Sequence, residues 1–226
     1  MTLGPRVGIL GGTFDPVHVG HVETARAACN ALELDRVLML PSGTPPHRQQ
    51  PSVSRYHRFA MTALAVTGLD RLQVSDLEIG EENPSYTYDT LVRLRAHGLP
   101  ALQIFFITGA DAFAEIATWS RYPQVLDMAN FVVVSRPGHP ADALRTVLPS
   151  LAARMLDVDR RVRHASEPRI YLLDAPTPDV SSTEIRRRLA DGGSISGMVP
   201  ESVRTYIDQH GLYTPADVNV TGKSLA

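Results

Sequence analysis

Cysteine and lysine are almost missing from this 226-residue chain: Cys29 is the one cysteine, and Lys223 is the one lysine among 22 basic residues. A lone cysteine closes no internal disulfide and builds no cysteine metal cluster, which points away from an oxidising compartment. The lysine falls within the last few residues, past the expected end of ordered structure. A Walker A loop needs Gly-Lys-Ser/Thr, and a pyridoxal phosphate enzyme needs a Schiff-base lysine, so the ordered part can build neither. Any side-chain cation that meets a phosphate here has to be arginine. Long apolar runs are absent as well. Val37-Leu38-Met39-Leu40 and Ile104-Phe105-Phe106-Ile107 fall far short of the ~20 residues of a membrane-spanning helix. The start, Met-Thr-Leu-Gly-Pro-Arg running straight into Val-Gly-Ile-Leu-Gly-Gly, lacks the ordered regions of a signal peptide. Acidic residues number 24, for a net charge of -2, which argues against a protein that chiefly grips nucleic acid or an anionic membrane. Only Arg160-Arg161-Val162-Arg163 and Arg186-Arg187-Arg188 hint at nucleic acid. A cytoplasmic location is expected.

Hydrophobic residues make up 43% of the chain and charged residues 20%, enough apolar material for a sizeable core. Short apolar segments alternate with amphipathic ones. Strands are expected at Val7–Leu10, Arg36–Leu40, Leu72–Asp76, Leu102–Thr108, Phe131–Ser135 and Ile170–Leu173. They are continuous apolar runs, as in parallel strands covered on both faces. Val22, Ala25, Cys29 and Leu32 share one helical face. Further helices are expected at Arg55–Val66, Tyr88–Ala96, Asp111–Thr118, Ala141–Met155, Glu184–Leu189 and Glu201–His210, the last stopped by Gly211. This alternation predicts an α/β fold: a single Rossmann-like open sheet, mostly parallel, with right-handed crossovers and helices on both faces. One domain over residues 1–214 is expected, with Arg154–Pro168 as an edge loop and residues 215–226 as a flexible tail.

The chemistry concentrates where strands end. The first strand runs into Gly11-Gly12-Thr13-Phe14-Asp15-Pro16-Val17-His18-Val19-Gly20-His21, a glycine turn opening onto a helix, and in open α/β sheets ligands bind at such places. Glycines let backbone approach an anion, and a helix N-terminus offers N–H groups and positive dipole. Gly-x-Gly-x-x-Gly is missing, so this is not the dinucleotide fingerprint. His18 and His21, three apart, share a helix face and can address one anion, or they serve as capping or core histidines. The four-residue spacing and internal glutamate of a zinc motif are lacking. Arg48, in Pro45-Pro46-His47-Arg48 after the second strand, is either a phosphate clamp or a solvated charge. Ser181-Ser182-Thr183-Glu184-Ile185-Arg186 reads as a capping box, with Ser181 and Glu184, and also as a polyphosphate cradle. Asp111, in Thr108-Gly109-Ala110-Asp111, can hold a ribose hydroxyl or cap its helix. Trp119, the one tryptophan, can stack on a base or pack in the core.

The histidine segment together with Ser181–Arg186 resembles the nucleotidyltransferase superfamily of paired-histidine adenylyl- and cytidylyltransferases. Pro84-Ser85-Tyr86-Thr87-Tyr88-Asp89-Thr90-Leu91, Thr118-Trp119 and Ser135-Arg136-Pro137-Gly138 narrow the resemblance to the bacterial nicotinate-nucleotide adenylyltransferase family, to about Tyr213. The resemblance implies that ATP and nicotinate mononucleotide give deamido-NAD and pyrophosphate in NAD biosynthesis, by direct attack without a covalent enzyme intermediate. It implies that His18, His21, Arg48 and Arg186 act on the reacting phosphates. Gly11, Gly12, Thr13, Phe14, Ser181, Ser182 and Thr183 bind ATP, and Thr87, Gly109, Asp111, Trp119 and Arg136 meet the nicotinate nucleotide. Thr87 also has a plain reading as the N-cap of its helix. Magnesium would ride on the ATP phosphates, with no metal site in the protein. No nucleic acid or membrane partner is implied, and assembly into a homo-oligomer stays open. Ser42-Gly43 stands where many relatives carry an amide side chain, and Val180 replaces an isoleucine. Two rivals remain: an adenylyltransferase for another phosphorylated acceptor such as pantetheine phosphate, and a non-catalytic nucleotide sensor.

Overall fold

The computed structural model describes residues 4–46, 50–81, 83–158 and 166–214. The expected tail at 215–226 and the cluster Arg160-Arg161-Val162-Arg163 lie outside the described residues. In chain order the strands are β1 (Val7–Gly12), β2 (Arg36–Pro41), β3 (Leu72–Val74), β4 (Ile104–Gly109), β5 (Asn130–Val134), β6 (Met155–Asp157) and β7 (Ile170–Leu173). The helices are α1 (Val19–Ala31), α2 (Arg55–Val66), α3 (Thr87–Ala96), α4 (Ala110–Ala114), α5 (Leu144–Val147), α6 (Ser182–Ala190) and α7 (Glu201–His210).

The strands form one seven-stranded sheet in the order β3-β2-β1-β4-β5-β7-β6. Pairing is parallel for β1 with β4, β4 with β5, β5 with β7 and β6 with β7. In register, Ile9 faces Phe106, and Val132 sits between Ile107 and Tyr171. The order reverses between β1 and β4, the switch point at which open α/β sheets bind ligands beyond the carboxyl ends of their strands. Every residue of β5 is buried, which is why Phe131 to Val134 form a continuous apolar run rather than an alternation.

Packing divides the described residues into two compact units. One is drawn from Met1–Gly11, Thr24–Leu38 and Tyr86–Thr177, the other from Gly12–Glu23, Met39–Ser85 and Pro178–Ala226. In the first, Phe113, Phe131 and Phe106 form a tilted aromatic chain, with centroids 5.6 and 5.7 Å apart. Asn130 is the polar exception in this core. Its Nδ2 donates to the carbonyls of Leu102 and Ile104, at 3.1 and 3.3 Å, and its Oδ1 accepts from the N–H of Arg169 at 3.1 Å. One buried amide thereby satisfies backbone groups at the entrances of β4 and β7. In the second unit, α2 buries Arg58, Met61, Thr62, Ala65 and Val66 on one face. Its N-cap Ser54 accepts from the His57 N–H. Gly211 closes α7 in the left-handed conformation at φ 58°.

Three expectations need correction. Ala141–Met155 is no single helix but two 3-10 segments, Ala141–Ala143 and Pro149–Arg154, around the one-turn α5. Pro149 lacks the N–H that a continuing helix needs. Met155–Asp157 is a seventh strand, which three residues ending in two exposed ones do not announce by periodicity. Asp111–Thr118 is the short α4 followed by a 3-10 turn at Ile116–Thr118.

Asn130→Ala should lower stability by about 2–3 kcal/mol, because it strands buried carbonyl and N–H groups. Urea denaturation with an unchanged m value checks this.

Candidate functional site

In the second unit β1 hands over to a loop, Gly12 to Val17, that is fixed from several sides. Phe14 adopts φ 50°, a left-handed conformation that costs a non-glycine residue on the order of 1–3 kcal/mol and must be held by its surroundings. Its buried ring meets His21 edge-on, with centroids 4.9 Å apart at 81°. His18 and His21 stack on each other at 3.6 Å and 25°. The expectation that both imidazoles share one face is met geometrically. His18 is only 2% exposed, and His21 is half-buried. The His18 N–H donates to His21 Nδ1 at 3.2 Å, so a neutral His21 ring carries its proton on Nε2 and presents a donor there. Gly20 is needed for close approach: a Cβ there would lie 3.1 Å from the His18 ring and 3.3 Å from the Pro178 carbonyl.

The opening of α6 reaches the same loop. Ser182 Oγ donates to the Pro16 carbonyl at 2.8 Å, two residues before His18. Arg186 Nη1 donates to the Asp15 carbonyl at 2.6 Å, and Nη2 lies 3.4 Å from Thr183 Oγ1. Ser181 caps the helix by accepting from the Glu184 N–H. Only half of a capping box forms, because Glu184 turns to Arg187 and Arg188, whose hydrogen bonds hold its carboxyl down at about 2. The three hydroxyls are thus not one free cradle: Ser181 is engaged as a cap, and Ser182 commits its proton to Pro16.

Two residues that matter here were not picked out by sequence. Asp15 is 5% exposed. Its Oδ1 accepts from Tyr213 Oη at 2.9 Å, its Oδ2 from the Ser52 N–H at 2.8 Å, and Arg186 Nη1 stands 3.8 Å from Oδ2. Burial, and next the Asp15 charge, push the Tyr213 hydroxyl well above its ordinary pKa. Arg58 of α2, 1% exposed, donates through Nη1 to the Thr13 carbonyl at 2.7 Å and through Nη2 to the Gly43 carbonyl at 3.2 Å. Burial lowers its pKa, and the Asp15 charge opposes that fall. A signal for Arg58 does exist in the sequence, since it occupies the apolar stripe with Met61, Thr62 and Ala65. Arg48 lies outside the described residues.

In the first unit, Gly109 ends β4 and serves as N-cap of α4 without a side-chain bond, so Asp111 does not cap that helix. Asp111 Oδ1 instead lies 4.0 Å from Arg136 Nε. A Cβ on Gly109 would run into both Asp111 Oδ1 and Arg136 Nε, so glycine permits this acid–base pair at the end of β4. Trp119 is half-buried, edge-on to Phe106 and Phe131 at 6.1 and 6.3 Å. It both packs and keeps part of its ring exposed. Thr87 is the first residue of α3 with Tyr86 as N-cap, which corrects its reading as a cap. Gly11 lies over the Phe106 ring, 3.7 Å from where its Cβ would be.

Set beside known proteins, the chain matches the cytidylyltransferase-like family over residues 9–188. It is 41% identical over 212 residues to a probable nicotinate-nucleotide adenylyltransferase of Pseudomonas syringae pv. tomato, covering 94% of this chain and 95% of that protein. The probable nicotinate-nucleotide adenylyltransferase of Moorella thermoacetica is 40% identical over 211 residues, covering 93% and 92%. In fold, the Plasmodium falciparum nicotinic acid mononucleotide adenylyltransferase complexed with NaAD aligns at a TM-score of 0.71 with 18% identity, over 92% of this chain and 97% of that one. The chain belongs to the cytidylyltransferase-like family. Within that family it stands among the nicotinate-nucleotide adenylyltransferases.

Tyr213→Phe should cost about 1–3 kcal/mol at pH 7, because a buried Asp15 oxygen loses its donor. The native phenol has a raised pKa, so its share of stability is complete below pH 10 and is lost as the pH climbs through the folded value. The gap between wild type and variant should therefore narrow above pH 10 in denaturation curves taken across the alkaline range.

Proposed function

We propose that the protein transfers the adenylyl group of ATP to nicotinate mononucleotide, giving deamido-NAD and pyrophosphate. The observation that carries this reading is the stacked His18–His21 pair, set between a strained glycine-rich loop and the opening of α6, in a chain 41% identical to a probable nicotinate-nucleotide adenylyltransferase. The 5′-phosphate of the acceptor attacks the α-phosphorus of ATP, the bond to the β-phosphate oxygen breaks, and pyrophosphate leaves. Such a reaction asks the protein for positioning and charge stabilisation rather than covalent chemistry. His21, with Nδ1 occupied by the His18 N–H, offers its Nε2 proton to the charge that builds on the phosphates. His18, buried beneath it, supports the ring by stacking and adds its own nitrogens.

Backbone groups of Gly11 to Phe14 and of Ser182 and Thr183 at the opening of α6, with the hydroxyl protons of Ser181 and Thr183, receive the ATP phosphates. Arg48 and Arg186 supply side-chain cations, in a chain with one lysine among its 22 basic residues. Magnesium arrives on the triphosphate as part of the substrate and neutralises its charge. Asp15, the carboxylate beside the histidines, has its oxygens taken by Tyr213 and Ser52. Among the described residues no three His, Cys, Asp or Glu side chains gather as a metal cage. On the acceptor side, Trp119 stacks on the pyridine ring, its plane fixed by Phe106 and Phe131. Thr87, Gly109, Asp111 and Arg136 hold the rest of the nicotinate nucleotide. Among the described residues no helix is long and apolar enough to cross a membrane.

Incubation with ATP, magnesium and each acceptor should release pyrophosphate with nicotinate mononucleotide. Turnover with pantetheine phosphate alone would overturn the substrate assignment, and no release at saturating substrates would favour a nucleotide sensor. His18→Ala and His21→Ala should each lower kcat by about 10²–10³-fold, as loss of one transition-state donor does. The thermal midpoint should hold in His21→Ala and fall in His18→Ala, whose ring is buried. A kcat near wild type in both variants would contradict their role.

A further inference from the structure

Arg58 lies on α2, outside every segment assigned to phosphate, and the chemistry above does not use it. We infer that Arg58 is a positioning residue, aiming the Phe14 backbone N–H of the loop after β1 at the ATP phosphates. This rests on the adenylyl-transfer reading. Its guanidinium donates to two carbonyls, Thr13 at 2.7 Å and Gly43 at 3.2 Å. The Thr13–Phe14 peptide bond is trans, so in that planar unit the N–H points opposite to the C=O. Holding the Thr13 carbonyl on the guanidinium therefore turns the Phe14 N–H to the far side of its loop, while the bond to Gly43 ties the loop after β2 to the same side chain.

At Phe14 the constraint is sharpest. Its φ of 50° is a rotation about the N–Cα bond that orients that same Thr13–Phe14 plane, in a region L residues rarely enter. The ring of Phe14 lies against His21, so the donor is turned within the neighbourhood of the paired histidines. A buried, planar fork suits this task better than any other cation. Lysine would keep the charge but lacks the fixed geometry that engages two carbonyls at once. The guanidinium is itself immobilised, being only 1% exposed. Its charge is sustained by Asp15, whose oxygens anchor the next turn of the loop to Tyr213 and Ser52.

Binding of inorganic pyrophosphate and of ATP to the intact protein, measured by calorimetry without acceptor, tests the inference alongside steady-state kinetics. In Arg58→Lys and Arg58→Gln, pyrophosphate binding should weaken about tenfold and kcat should fall. KM for nicotinate mononucleotide should stay within about twofold, a split that general loosening would not produce. Unchanged pyrophosphate affinity in either folded variant overturns the inference. The wild-type protein gives a second readout: its Phe14 amide resonance should move downfield on addition of pyrophosphate. A Phe14 amide that stays put while the histidine signals move overturns the inference without any variant. Wild-type protein that binds neither ATP nor pyrophosphate would instead remove the adenylyl-transfer reading, and the inference with it.

Discussion

A buried carboxylate with no room for error underlies the histidine-bearing unit. Asp15 sits in the middle of the loop that follows β1, and its charge is removed from water. It is tolerable only because Tyr213, the Ser52 N–H and Arg186 surround it. Those partners come from the segment after β2, from α6 and from beyond α7, regions separated by up to 198 positions. Satisfying one side chain thus forces three distant stretches of chain to meet at the residues just ahead of His18. The stacked imidazoles, the start of α6 and the left-handed Phe14 all lie at or beside that meeting point.

Arg58 is the counterpart of Asp15 on the other side of the loop. Burial works against its charge, and Asp15 works for it. The pair differ in what they hold: Asp15 collects donors from elsewhere in the fold, whereas Arg58 collects carbonyls from the loops themselves. Between them the carbonyl oxygens of Thr13 and Asp15 are both taken by arginines, Arg58 and Arg186. Binding the Thr13 carbonyl from within leaves the Phe14 N–H on the opposite side of its peptide, which is what an anion requires. The Asp15 carbonyl precedes Pro16, which has no N–H, so its bond to Arg186 only anchors the loop. In a chain with 22 basic residues and one lysine, these interior tasks fall to guanidinium groups, whose planar geometry suits two acceptors at once.

The hydroxyls at the head of α6 show how fold and chemistry share residues. Ser181 is bound to its own helix and Ser182 to the Pro16 carbonyl, so the segment spends part of its polarity on docking to the loop after β1. In the other unit the same economy appears at Gly109, where the missing side chain makes space for Asp111 and Arg136. Trp119 both packs and stays half exposed.

Much of this was legible in the residues. Unbroken apolar runs announced the parallel strands because a strand covered on both faces has no polar side to show. The end of α7 followed from Gly211, since capping is a local matter of a few backbone groups. The pairing of His18 with His21 was written in a three-residue spacing. The seventh strand, the broken helix around α5 and the Tyr86 cap were not, because short elements take their form from neighbours rather than from periodicity. Asp15 and Arg58 were hidden for a stronger reason. A charged residue in a sequence is presumed to face water, and only the folded chain reveals which carbonyls and hydroxyls have replaced that water. The sequence by itself therefore determined the kind of sheet and the residues that could meet a phosphate. The tertiary structure alone decided which charges are buried to hold them, because partners for a buried charge are recruited across the fold and leave no local pattern.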